Sequence, residues 1–303
     1  MGDVVVKAGS LILIIALGYA IKRAGWVQSS DFGLFSKVVL RITLPCALVT
    51  SFQAYELRPA MLGVSVAGFV IVVTGQSVSA LLDHRRGPRA QAFGIFNVPT
   101  FNIGLFAIPY LTTFVGPEAI IVAAMFDVGN ALAAAGLGYA WGMGLSRPGA
   151  TGGGRRVARQ LLTSPLFLTY LVLVPIGLLH IRLPAALLTF TGTVGAANTF
   201  LAMLMIGIGL EVVLDRRKYA TAARYLALRW AVTLVAGVVV WFVLPFSALE
   251  KLVVSMVLAA PMAAMASAFT EEAGLDVEVS TFMTSVTALV AIAAMPAVLA
   301  VLT

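Results

Sequence analysis

Hydrophobic residues along this chain form long blocks, each ended by a short polar cluster. Ten blocks are apolar over about 20 residues, the length an α-helix needs to cross the hydrocarbon of a bilayer. They cover 4–21, 35–54, 60–82, 90–115 and 118–145, then 165–180, 185–213, 222–245, 247–270 and 277–302. The pattern predicts an all-α integral membrane protein with about ten transmembrane helices. The longest polar stretch, 146–164, opens with SRPGATGGGRR, in which Gly152–Gly154 reads as a flexible hinge. It divides the chain into a five-helix repeat over 1–146, a cytoplasmic linker over 147–164 and a second five-helix repeat over 165–303.

Composition strengthens this reading. The chain is 60% hydrophobic and 11% charged, with a mean hydropathy of +1.01, whereas soluble domains carry about 25% charged residues. The net charge of +7 does not point to nucleic acid, because the basic residues sit in clusters between apolar blocks. Lys22 and Arg23, then Arg85, Arg86 and Arg89, then Arg147, Arg155, Arg156 and Arg159, and finally Arg216, Arg217, Lys218 and Arg224 follow odd-numbered blocks. Only Arg58, Arg182 and Lys251 follow even-numbered ones. By the positive-inside rule the odd loops are cytoplasmic and both termini lie outside. The loop after block nine carries Glu271, Glu272, Asp276 and Glu278 instead, and acidic residues weigh little in that rule. Asp3, the lack of a basic n-region and an immediate apolar run predict a first span rather than a cleaved signal peptide. The single cysteine, Cys46, supports neither an internal disulfide nor a metal cluster.

Five spans per half make the second half enter the membrane in the opposite direction to the first. Such inverted repeats serve alternating access in secondary transporters. Blocks four and nine are the most disrupted. Block four holds Asn97, Pro99, Thr100 and Asn102, with Pro109 beyond, and block nine holds Ala259-Ala260-Pro261-Met262. Proline deletes a helix hydrogen bond and clashes with the preceding turn. Broken backbone at membrane depth survives only where it is buried in protein or lines a cavity. Two readings follow: ordinary kinks, or crossing half-helices whose positive ends favour an anion.

Ionisable residues inside spans are expensive and single themselves out. Asp127 and Asn130 share one face of span five, as substrate or cation-coupling groups or as a structural hydrogen bond. Lys37 can snorkel to the interface. Arg41 can pair with Glu211, reach the interface or meet an anion, and Arg229 in span eight is similar. Asn198 fits polar glue between helices. Met203, Met205, Met262, Met265 and Met283 read as apolar packing, Gly138/Gly142 and Gly207/Gly209 as close helix contacts, and His180 as interfacial. No P-loop, HExxH or Ser/His spacing is present, so an enzyme is not expected.

Short segments throughout the chain resemble the auxin efflux carrier family, which includes plant auxin exporters and bacterial malonate or malate carriers. They are Lys37-Val38-Val39 through Leu44-Pro45, Asn102-Ile103-Gly104-Leu105 through Ile108-Pro109 with Gly116, Ile206-Gly207, and Ala259-Ala260-Pro261 with Asp276. The resemblance implies a fold similar to the bile acid:sodium symporters. Spans 1, 2, 6 and 7 would form a scaffold, and spans 3–5 and 8–10 a transport domain with crossover helices at spans four and nine. It implies a secondary transporter of small organic anions, such as malonate, malate or auxin-like acids, in a bacterial cytoplasmic (inner) membrane. The substrate site would comprise Asn97, Pro99, Thr100, Asn102, Asn130, Ala260, Pro261 and Met265, with Asp127 coupling and Arg41 a further anion contact. No cofactor is expected beyond proton or sodium coupling, and the expected partners are the anion, membrane lipid and, as a candidate assembly, a second copy. Two positions depart from the family pattern: Phe200 stands where a proline is usual and Met265 where an asparagine often follows Pro261. A sodium-coupled symporter of the bile-acid type and a passive channel are the alternatives.

Overall fold

The computed structural model describes residues 2–147, 153–210 and 215–303, and every regular element in them is helical. In chain order these are α1 (Gly2–Arg23), α2 (Ser29–Ala54), α3 (Pro59–Leu82), α4 (Pro88–Asn97), α5 (Ile103–Phe114) and α6 (Glu118–Ser146). They continue with α7 (Gly153–Leu162), α8 (Pro165–Leu178), α9 (Ala185–Gly209), α10 (Arg216–Phe242), α11 (Ala248–Leu258), α12 (Met265–Glu272) and α13 (Val277–Leu302). Six of them, α2, α3, α6, α9, α10 and α13, are long and apolar enough to cross a membrane, and the bent pair α7–α8 makes a seventh candidate.

The expected spans four and nine are each split. α4 stops at Asn97 because Pro99, just beyond, supplies no N–H to continue the helix. Helix resumes at Ile103 in wide turns, with the Ala107 N–H reaching the Asn102 carbonyl at 3.1 Å, and this slack accommodates Pro109. α11 opens with a reciprocal cap, in which the Ser247 N–H reaches Glu250 Oε2 at 2.8 Å, and it ends at Leu258 just before Pro261. Six residues, 259–264, separate it from α12.

The expected linker differs from its sequence pattern. Gly153 and Gly154 open α7 instead of forming a hinge, while Gly152 lies outside the described residues. Val157 and Leu161, four residues apart, pack against the Ala135–Tyr139–Met143 cluster of α6, and Arg155, Arg156 and Arg159 are exposed. This is an amphipathic helix of the kind that lies along a bilayer surface, and the chain turns 74° between it and α8. Likewise Arg216–Lys218 form the first turn of α10 rather than a loop, started by Asp215, whose carboxylate accepts the Arg217 N–H at 3.0 Å.

Packing centres on α6, which buries 78% of its most apolar stretch against 22–44% for the other five long helices. Around it, α3, α4 and α11 pack directly on α6, and α10, α12 and α13 pack on these helices and on one another. α1 and α2 pack on α9 and α2 on α8, with α2 and α8 also touching α6. Gly207 lets α9 approach α1 so closely that a Cβ there would lie 2.0 Å from the Ile15 carbonyl oxygen. Thr43 donates to Asn198 at 3.0 Å and so ties α2 to α9. Outward faces carry Leu13, Val66, Leu171, Leu234, Phe242 and Val301, an apolar exterior suited to lipid.

Candidate functional site

The two breaks meet. The Asn102 N–H donates to the Pro261 carbonyl at 2.8 Å, a backbone hydrogen bond between two segments that each lost their helical partners. A proline interrupts the helix on each side, and the two breaks satisfy one another. The Met262 N–H is taken by the Thr287 hydroxyl of α13 at 3.1 Å.

A buried cation clamps the same place. Arg229, 1% exposed on α10, donates from Nη1 to the carbonyls of Val98 and Thr100, both at 2.7 Å, and from Nη2 to the Ala260 carbonyl at 2.9 Å. Its guanidinium also sits 5.0 Å from the centre of the Phe101 ring. Sequence reasoning weighed Arg229, like Arg41, as an ion-pair partner, an interfacial residue or an anion contact. The signal was present, since an arginine in the middle of an apolar helix needs several acceptors, but nothing in the sequence says that these would be backbone carbonyls.

α6 supplies the third side. Asn130 donates from Nδ2 to the Phe101 carbonyl at 3.3 Å and to Asp127 Oδ1 at 2.9 Å, and Asp127 Oδ2 accepts the Tyr170 hydroxyl of α8 at 2.9 Å. Asp127 thus makes a structural bond to a neighbouring helix while reaching, through Asn130, the first break. Two buried atoms here have no protein partner among the described residues: Thr100 Oγ1 and Asn130 Oδ1. Asn102 is half-buried, and its side-chain amide bonds to no protein group among them. An apolar groove of about 710 Å³ between α10, α11 and α13 reaches Arg229, Ala260 and Thr287.

Thr100, Asn102, Asp127, Asn130, Ala260 and Pro261 therefore form one bonded network, and Pro99 is wedged beside it against Gly75 of α3. The other expected site residues lie apart from it. Asn97 is fully buried, donating to the Phe93 carbonyl at 2.8 Å and to Thr270 at 3.0 Å and accepting from Ser280, which bolts α4 to α12 and α13. Met265 opens α12 and packs beside the Phe96–Tyr139–Phe269 cluster. Arg41 is exposed on α2, and Glu211, its conceivable partner, lies outside the described residues. His180 lies at the surface in the turn just past α8, 3.0 Å from Glu56. A second buried ionic cluster was not foreseen: Asp83, at the end of α3, accepts from Arg224 and, at 2.8 Å, from the Tyr225 hydroxyl of α10. Only the basic residues of that loop had stood out in the sequence.

No protein-family model matches the chain. It is 25% identical over 295 residues to an uncharacterized transporter of Methanothermobacter thermautotrophicus, a match covering 93% of this chain and 94% of the relative. Several apolar helices of membrane-crossing length and likeness to a transporter along nearly the whole chain define an integral membrane protein.

Proposed function

We propose that this protein is a secondary transporter of small organic anions that works by alternating access, with its substrate bound beside the meeting point of the two breaks. The observation that carries the reading is the Asn102–Pro261 backbone bond. Two interrupted helices joined at their breaks form the kind of site in which half-helix ends face a ligand near the bilayer midplane. If each split helix crosses once, then α1, α2, α3, α4–α5, α6, α8, α9, α10, α11–α12 and α13 make ten crossings, in two inverted halves of five. Packing supports a division of labour as well. α1, α2, α8 and α9 would be the static scaffold, and the helices around α6 would be the moving body.

Each anion contact then has a source. The N-terminal end of α5 presents backbone N–H groups and a positive dipole end. The Thr100 hydroxyl and the Asn102 amide lack protein partners among the described residues and can donate to a carboxylate. Arg229 holds positive charge within the crossing, which favours an anion over a neutral ligand. The motifs shared with auxin efflux carriers point to dicarboxylates and auxin-like acids.

The test is counterflow in proteoliposomes with labelled malonate, malate, succinate and indole-3-acetate, with and without proton and sodium gradients. A carrier exchanges at least one of them saturably. Unsaturable flux or conductance would indicate a channel, and no exchange across the panel would remove the organic-anion assignment.

A further inference from the structure

The break in each helix exposes two kinds of end. One is the N-terminal end of the following half-helix, which suits an anion. The other is the C-terminal end of the preceding half-helix, with unpaired carbonyls and a negative dipole end, which suits a cation. In transporters built from discontinuous helices, such carbonyls and C-terminal ends coordinate the coupling cation. Here they are taken. Arg229 draws the carbonyls of Val98 and Thr100, just past the end of α4, and that of Ala260, just past the end of α11, onto one guanidinium at 2.7–2.9 Å. The face of Phe101 lies 5.0 Å away. Among the described residues no carboxylate pairs with Arg229, so this buried charge is balanced by backbone oxygens from both breaks, two helix dipoles and a ring quadrupole. Apart from the ring, that is an oxygen set for a hard monovalent cation, filled by a side chain.

We propose that Arg229 is a tethered cation standing in the place of a coupling sodium ion, so that the crossing is charged permanently and works without sodium. Removing the guanidinium converts the three carbonyls into a vacant site for a small monovalent cation. Arg229 is on this account a positioning residue, holding both breaks in register while adding positive charge beside the substrate. The inference deepens the carrier reading and rests on it for its meaning. Its test needs no transported substrate, so failure of one is distinguishable from failure of the other.

The experiment is thermal unfolding of the purified full chain in sodium, potassium or choline chloride at equal ionic strength, for wild type, Arg229→Ala and Arg229→Lys. Wild type is expected to unfold within about 1 °C in all three salts, and Arg229→Lys, which keeps a charge, to be equally indifferent. Arg229→Ala is expected to unfold at lower temperature in choline and to recover about 5 °C, saturably, in excess sodium. A purely structural arginine would leave the variant destabilised to the same extent in every salt. Saturable stabilisation of wild type by sodium over choline overturns the proposal, as does an alanine variant no more sensitive to sodium than wild type. A lysine variant as sodium-responsive as alanine overturns it too. If the alanine variant folds in no salt, Arg229→Met, which keeps the stem and removes the charge, is read in its place: saturable recovery in sodium supports the proposal, and equal destabilisation in every salt, or sodium-stabilised wild type, overturns it.

Discussion

The backbone N–H of Asn102 and the backbone carbonyl of Pro261, 159 residues apart in sequence, are joined at 2.8 Å. Each belongs to a segment where a proline interrupts the helix, so the bond exists only because both helices break at the same level. Asn102→Pro deletes the N–H while leaving Pro261 intact. It should cost about 1–3 kcal/mol from the orphaned buried carbonyl and abolish exchange, measured by thermal unfolding and counterflow on the same preparation.

Asp127 and Tyr170 bridge the two groups of helices, since α6 lies in one and α8 in the other. If the helices around α6 move as the proposed body, this bond breaks in every cycle. Tyr170→Phe should therefore destabilise the resting protein by about 1–3 kcal/mol, raise turnover and leave the half-saturating substrate concentration unchanged. Unchanged turnover with weakened affinity would instead assign the pair to substrate binding.

Asn97 is saturated by Phe93, Thr270 and Ser280. Asn97→Ala should cost about 3 kcal/mol, because Thr270 and Ser280 lose a buried partner, without altering substrate affinity in the protein that remains folded. Denaturation and counterflow together separate this from a binding role.

Gly75 leaves room for Pro99: a Cβ there would lie 2.6 Å from the proline Cβ. Gly75→Ala should cost about 1–3 kcal/mol by overpacking against rigid rings. Gly192, in the interior of α9, has nothing within 4 Å of its Cβ position, and Gly192→Ala should be neutral or stabilise by up to about 1 kcal/mol. Unfolding temperatures of the two variants check both statements.

The proposed inverted arrangement has its own test. With Cys46 replaced by alanine, a cysteine at Arg155 should react with an impermeant maleimide only from the cytoplasmic side, and one at Arg182 only from outside. Labelling of both from one side would remove the inverted-repeat reading.

Much of the helical pattern could be read from the sequence because apolar blocks and basic clusters report burial in lipid one residue at a time. Pro99 and Pro261 marked both breaks in the sequence, although proline alone does not force one, since Pro175 and Pro296 sit inside the continuous helices α8 and α13. What the sequence could not show depends on distance across the fold. Asn97 and Asn102 look equivalent along the chain. Yet one is filled by Thr270 and Ser280 while the other keeps its amide free of protein partners among the described residues. Arg41 and Arg229 look equally deep in apolar helices, but the first is exposed and the second holds both breaks. Tyr170 gave no signal, since a tyrosine in a span gains meaning only from the carboxylate it meets. α7 was hidden by its glycines and arginines, whose composition resembles a linker although Val157 and Leu161 recur at helical spacing.

The most direct measurement is the half-saturating concentration of the exchanged anion in counterflow for wild type and Asn102→Ala, with unfolding temperatures recorded alongside. The alanine keeps the backbone bond to Pro261 and removes only the side-chain amide. A substrate bound at the crossing predicts saturable exchange in wild type and a roughly tenfold weaker half-saturation in the variant, with little change in stability. Equal half-saturation in two equally stable proteins would place the substrate elsewhere and contradict the account.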